Sequence, residues 1–205
     1  MMTTYELTEE HSERFQRDGY LIVSALFDPL EIAGLLKFAK ADAALADEAY
    51  VRRDAKGGET RLALRNDLDD DVPYTAVVRS QRIVHTMQTL LGDEVYHYHH
   101  KMMIKQPRIG GAWEWHQDYG YWYNFGCLFP DMGSCMVAVD QATIQNGCLQ
   151  VLRGSHKIGR VDHIRIGEQV GADPERVEVA KQIFDLVAVE LEPGDALFFH
   201  GNLLH

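Results

Sequence analysis

Positive charge is in short supply in this chain: 205 residues carry 20 Lys and Arg against 31 Asp and Glu, a formal net charge of -11. No basic field is left to neutralise phosphates, and the cations are scattered rather than clustered, which argues against a nucleic-acid partner. Long apolar runs are missing as well, and none approaches the ~20 residues of a membrane-spanning helix. The polar, acidic start from Met1 to Ser12 lacks the basic and apolar stretches of a secretory signal. Cysteine is sparse: Cys127, Cys135 and Cys148 are odd in number and never spaced C-x-x-C, which argues against a disulfide framework and a structural zinc site. Buried thiols in a reducing cytoplasm are the expectation. Internal repeats are absent too, and the only compositional change, near Gly92, separates two halves of one core. With 46% hydrophobic and 25% charged residues, a single domain over 1–205 is expected.

What is present begins with helix signals. Thr8 is placed to cap a helix over Thr8 to Arg17 that stops at Gly19, and Tyr20 to Leu26 reads as a strand. Asp28-Pro29-Leu30-Glu31 combines a capping carboxylate, Pro at the first helical position and a Glu that can return a bond to the cap. The apolar spacing Leu30, Ala33, Leu36, Phe38 then extends one long helix to Leu45. Val51 to Pro73, charged and interrupted by Lys56-Gly57-Gly58, reads mostly as loop. A second helix is expected from about Tyr74 to Leu91, ended by Gly92.

Beyond Gly92 strands dominate. They are expected near Val95–Lys105, Ala112–Asp118, Ser134–Val139, Gly147–Leu152, Leu186–Glu190 and Ala196–His200. Helices first and sheets after give an α+β class, mainly β, or a decorated barrel. Alternation in the first of these strands splits His97 and His99 from His100, so these histidines read as ordinary sheet residues.

The chemistry centres on Trp115-His116-Gln117-Asp118. In an extended strand, residues two apart point to one side, so His116 and Asp118 can bring an imidazole and a carboxylate together. A second imidazole would complete the 2-His-1-carboxylate set that holds Fe(II) with open positions. His205, 87 residues beyond Asp118, is the candidate. Alone, H-x-D is a common pair in surface strands.

Its company is more specific. Lys105-Gln106-Pro107 with Gly110-Gly111, His116-Gln117-Asp118, Asn146-Gly147-Cys148-Leu149 with Gly154-Ser155-His156, and the run from Gly194 to His200 followed by His205 occur in that order. Together they resemble the phytanoyl-CoA dioxygenase family of Fe(II)- and 2-oxoglutarate-dependent oxygenases, from about Leu21 onward. The resemblance implies a double-stranded β-helix of jelly-roll or cupin-like form, with N-terminal helices buttressing one sheet. It implies His116, Asp118 and His205 as iron ligands, with His200 a neighbouring structural histidine. Lys101 matches the strand position that faces 2-oxoglutarate, Lys105 lies on the same face, and Met136 and Thr143 fall near other positions that approach the co-substrate. The implied reaction takes 2-oxoglutarate and dioxygen to succinate and CO2 while a small organic substrate is hydroxylated. Asp118 bears on this choice, because relatives that halogenate leave the carboxylate position empty. The family also anchors the far carboxylate of 2-oxoglutarate with an arginine on the strand after the distal histidine. The sequence stops at His205, so the domain is expected to be truncated there and its last strands and that arginine to lie beyond it.

Trp113, Trp115, Tyr119, Tyr121, Trp122, Tyr123 and Phe125 flank the H-x-D segment and are expected to line the mouth, with Trp113, Tyr119 and Trp122 as candidate substrate contacts. Two other classes share these features. A catalytically silent barrel could bind a small ligand or a protein through the same mouth. A zinc hydrolase could use the same triad, but no H-E-x-x-H helix supplies its base.

Overall fold

Local rules start the first two helices where the sequence signals them. The computed structural model describes residues 7–54, 57–68, 72–105, 108 and 111–205, with the side chain of residue 46 outside the description. The elements in chain order are α1 (Glu9–Asp18), β1 (Tyr20–Val23), α2 (Pro29–Ala41), α3 (Ala43–Glu48), β2 (Tyr50–Arg53), β3 (Glu59–Arg65), α4 (Pro73–Val78), α5 (Gln81–Leu91), β4 (His100–Ile104), α6 (Asp118–Trp122), β5 (Gly133–Val137), β6 (Leu149–Leu152), β7 (His163–Ile166), β8 (Gln169–Ala172), α7 (Pro174–Ile183), β9 (Leu186–Val189) and β10 (Ala196–His200). Thr8 caps α1, and Gly19 ends it in the left-handed conformation. The Asp28 carboxylate accepts from the backbone N–H groups of Leu30 and Glu31 while Glu31 accepts from that of Asp28, closing the capping box that opens α2.

The centre of the fold is the antiparallel sheet β1-β10-β5, with Leu197 opposite both Ile22 and Met136. Period-2 alternation divides its two faces. Leu21, Val23, Cys135, Val137, Ala196 and Phe198 pack outward against Phe15 of α1, Ile32 of α2 and Met87 and Leu90 of α5. Tyr20, Ile22, Met136, Leu197 and Phe199 pack inward against Val151 of β6 and Val189 of β9, which form a second antiparallel pair. Each fully buried Leu, Val or Phe here stabilises the fold by ~1.5–3 kcal/mol. Gly194, in the turn before β10, has φ +98, and a Cβ there would lie 2.3 Å from the carbonyl oxygen of Phe27. Only glycine fits that approach.

Several sequence expectations are corrected. The stretch read as loop holds the hairpin β2–β3, whose β3 pairs onward with β4. Its strands are hard to see because β2 is exposed throughout, and Arg61 and Arg65 interleave the buried Thr60, Leu62 and Ala63 of β3. The helix expected to run to Leu45 breaks at Asp42, whose carboxylate accepts from the N–H of Leu45 and caps α3 instead. The second expected helix divides into α4 and α5 around Arg79 and Ser80. Only His100–Ile104 of the Val95–Lys105 strand is laddered. Alternation therefore does not govern residues 95–99, and His100 Nδ1 and His97 Nε2 meet at 3.2 Å instead of facing apart. The 112–118 segment forms no regular strand, and Asp118 opens α6 after the extended Gln117. The β7–β8 hairpin and α7, against which Leu152, Ala172 and Leu204 pack, were not anticipated. Gln106, Pro107 and Gly110 of the first resemblance motif, and the end of the acidic run at 69–71, lie outside the described residues.

Candidate metal centre

The segment before Asp118 is held on two sides. His116 and His205 exchange backbone hydrogen bonds in both directions, each 3.0 Å, while the carbonyl of Trp115 accepts from Ala172 N–H at 2.7 Å. The N–H of Glu114 donates to the Gln169 side chain at 2.9 Å. One residue past His116 the chain turns into α6, with Tyr119 N–H donating to the carbonyl of Gly201 at 2.8 Å. The same-side placement of His116 and Asp118 thus comes from an extended residue followed by a helix start rather than from a continuous strand.

Three side chains converge. Asp118 Oδ1 lies 3.7 Å from His116 Nε2 and 3.9 Å from His205 Nε2. The two imidazole centroids are 4.1 Å apart, and one ligand atom from each residue lies within 4.8 Å of the others. The far side of every group is already occupied. His116 Nδ1 sits 2.8 Å from the carbonyl of Glu114, and His205 Nδ1 sits 3.0 Å from that of Leu203. A carbonyl only accepts, so each Nδ1 carries the proton and each Nε2 presents a lone pair to the shared space. Ser134 donates its hydroxyl to Asp118 Oδ2 at 2.6 Å, leaving Oδ1 for the same space.

Electrostatics match a cation-binding donor set. Burial drives the His116 imidazole well below its usual range and lowers that of His205, so both are neutral at pH 7. Burial alone would raise Asp118, but the imidazolium that His205 becomes in acid, the Lys101 ammonium, the His116 imidazolium and the Ser134 hydrogen bond outweigh it and bring the carboxyl down to about 2. Two neutral nitrogens and one carboxylate, preoriented and short of one positive partner, fit a divalent ion such as Fe(II).

The other sequence candidates separate. Lys101 Nζ lies 5.8 Å above the Trp113 ring, and its charge acts on all three members of the triad. Met136 is on β5 two residues from Ser134, on the same face. Lys105 donates to the carbonyl of Gly147, beside Cys148. Thr143 caps the 3-10 turn at Ile144–Asn146. Trp113 is 6.3 Å and Tyr121 5.4 Å from the His116 ring. Trp122 sits one helical turn after Asp118, against Tyr98 and His99. Tyr119, expected at the mouth, is 5% exposed with its hydroxyl donated to Leu128, and Trp115 packs against the α7 core.

His200 faces away from this centre. Its ring packs 5.4 Å from His156 and 6.4 Å from Phe15, and its Nδ1 accepts from Asn202 N–H. We expect His200→Ala to retain Fe(II) affinity within a few fold and to lose on the order of 1–3 kcal/mol of folding stability. His205→Ala should do the reverse, and equilibrium metal titration beside thermal melting separates the two. Sequence reasoning missed Ser134, although a hydroxyl in phase with Met136 on an otherwise inward apolar face was a usable signal. It also missed His163, whose ring lies where a Cβ on Gly120 would stand, 1.9 Å from His163 Cε1.

The family model described as phytanoyl-CoA dioxygenase matches residues 15–205. The chain belongs to this family. It is 30% identical over 215 residues to the L-proline trans-4-hydroxylase of Streptomyces griseoviridis, covering 94% of this chain and 77% of that one. It is 27% identical to the ectoine dioxygenase of Sphingopyxis alaskensis, covering 97% and 70%. The solved structure of EctD from S. alaskensis with bound Fe superposes with a TM-score of 0.80 at 25% identity, covering all of this chain and 72% of that one. A second EctD structure, with 2-oxoglutarate and 5-hydroxyectoine, gives 0.78. The likeness fixes the fold as a double-stranded β-helix, with β1-β10-β5 facing β6-β9 and the N-terminal helices α1, α2 and α5 packed outside, as the sequence motifs implied.

Proposed function

We propose that this chain is an Fe(II)- and 2-oxoglutarate-dependent dioxygenase that hydroxylates a small organic substrate, with succinate and CO2 as co-products. The observation that carries the proposal is the convergence of His116 Nε2, Asp118 Oδ1 and His205 Nε2, each free on its inner side and hydrogen-bonded on its outer side. Its support is the family and the relatives named for hydroxylating L-proline and oxidising ectoine.

Bound Fe(II) with 2-oxoglutarate and dioxygen would supply the oxidation, coupling loss of CO2 to hydroxylation. The protein's own groups do the positioning. Lys101 is the cation available to a co-substrate carboxylate, whereas Lys105 is engaged at Gly147. Met136 walls the same side as Ser134. Trp113, beside the His116 ring, and Trp122, one helical turn after Asp118, form the substrate wall in this reading. Asp118 occupies the position a halide would need, so hydroxylation is the outcome. No helix among the described residues is long and apolar enough to cross a membrane. The three free thiols suit a reducing cytoplasm.

The test is succinate formation from 2-oxoglutarate under air, with and without Fe(II), across a panel of free amino acids and small cyclic amines. Iron-dependent succinate that rises with one substrate class supports the reading. Absence of both Fe(II) binding and succinate would leave the silent ligand-binding barrel in its place.

A further inference from the structure

We infer that Gln117, the middle residue of the H-x-D segment, is a positioning residue that sets His116 and Asp118 against His205. The inference rests on the metal-site reading above and assigns a role to a side chain pointing away from the metal.

Gln117 is fully buried, and every polar atom of its side chain is used. Its Nε2 donates to the carbonyl of Asn202 at 2.9 Å and to that of Gly159 at 3.0 Å. Its Oε1 accepts from Val161 N–H at 2.7 Å. The backbone N–H of Gln117 donates to His163 Nε2 at 3.0 Å, and its carbonyl accepts from Gly120 N–H at 2.9 Å. His163 Nδ1 rests in turn on the carbonyl of Val161 at 2.9 Å, so both routes end on the 159–163 segment.

The Asn202 bond gives this wiring its consequence. Asn202 lies three residues before His205, and the next carbonyl after its own, that of Leu203, fixes the His205 imidazole. The Asn202 amide donates to the carbonyl of His156, and Ser155 Oγ accepts from Leu204 N–H, which secures the stretch just before His205. The two ligand-bearing segments are already paired at His116 and His205. Gln117 adds a second tie at its own position, on the opposite side from the ligands. Residues 116, 117 and 118 thus point alternately to metal space, to the dry interior and back to metal space, with the middle one joining the distal ligand's segment. An apolar residue there would leave the buried carbonyl of Asn202 without its donor and break the bonds to the Gly159 carbonyl and the Val161 N–H.

Methionine has nearly the length of glutamine and offers none of its hydrogen bonds. We expect Gln117→Met to bind Fe(II), measured by anaerobic titration, about 10–100-fold more weakly than wild type, the range for outer partners of metal ligands. Its Co(II)-substituted d–d spectrum should shift, and the melting temperature of the metal-free protein should fall by several degrees for the three lost hydrogen bonds while far-UV circular dichroism shows the fold retained. A folded variant with wild-type Fe(II) affinity and an unchanged Co(II) spectrum overturns the inference.

A second measurement needs no variant. If Gln117 couples the two segments, metal binding must stabilise its hydrogen bonds in return. Hydrogen exchange at the Val161 amide, which donates to Gln117, should therefore slow at least several fold when Co(II) is added to the wild-type protein. No change at that amide, with Co(II) demonstrably bound, also overturns it. If wild-type protein binds neither Fe(II) nor Co(II), the metal-site reading itself fails and this inference falls with it.

Discussion

Asp118→Ala is expected to bind Fe(II) at least about 100-fold more weakly than wild type and to lose 2-oxoglutarate turnover in step. The magnitude follows from sharing the binding energy. A multi-ligand protein site holds a divalent ion with on the order of 10 kcal/mol, so one of three ligands accounts for roughly 3 kcal/mol, about two decades in affinity. Asp118 carries more than an equal share, because it brings the only negative charge of the triad. Its loss leaves two neutral imidazoles in a buried setting and deprives Ser134 of its acceptor. Asp118→Asn sharpens the test. It keeps the shape and a hydrogen-bonding oxygen but removes the charge, so it should fold as wild type and still bind Fe(II) poorly. Anaerobic Fe(II) titration alongside succinate assay reads both quantities. An Asp118→Ala protein that held Fe(II) at wild-type affinity would remove the carboxylate from the ligand set and with it the proposed chemistry.

The parts of this site that were legible in the sequence share one property: each was set by a local rule or by a fixed spacing. The caps at Thr8 and Asp28 need only neighbouring residues, and both formed as expected. β10 was placed at its observed bounds because a turn glycine and a continuous apolar run define it. His116 and Asp118 came from a two-residue spacing, although the physical reason given for it held only in part. What stayed hidden depends on long-range partners. β3 is held between β2 and β4, and the charged exposed faces of β2 and β3 disguised the alternation. The roles of Ser134, Gln117 and His163 arise from bonds across 16, 85 and 46 residues, which no local pattern encodes. His99, read as an ordinary sheet residue, instead packs its ring on Trp122 one turn from the Asp118 carboxylate. Tyr119 differs in the opposite direction, since an aromatic next to Asp118 reads as a mouth residue until its side chain is seen buried with the hydroxyl donated to the Leu128 carbonyl.

The metal-free protein should lose stability steeply as pH falls below about 6.5, and bound Fe(II) should carry the fold to lower pH before it is released. Eight of the ten histidines, His97, His99, His100, His116, His156, His163, His200 and His205, are held below their ordinary value of 6.5, with burial the first cause in each. For His200 the value is about 4. The sign is set by proton binding. Between the folded and unfolded pKa the unfolded chain takes up protons that the folded chain refuses, so stability rises with pH and falls on acidification. Each fully depressed histidine contributes a slope of up to ~1.4 kcal/mol per pH unit. His116 and His205, both buried, would together give ~2.7 kcal/mol per unit before the more exposed histidines add their screened shares. Asp118 takes no part in this window, because a carboxyl at about 2 stays ionised throughout it. The lowered carboxyls of Asp18 and Glu31 lose their contributions only at still lower pH. Protonation also attacks specific bonds: His163 Nε2 accepts from Gln117 N–H, and His200 Nδ1 accepts from Asn202 N–H, so a proton on either nitrogen repels the donor it now faces. Fe(II) competes with protons for the two Nε2 lone pairs, so the metal-loaded protein should hold its melting temperature to lower pH and then drop more sharply. Melting curves at half-unit steps from pH 8 to 5, with and without Fe(II) under anaerobic conditions, measure both effects. A metal-free melting temperature that stayed level from pH 7.5 to 5 would mean that these histidines accept protons in the folded state, and the neutral, inward-facing imidazole pair would have to be abandoned.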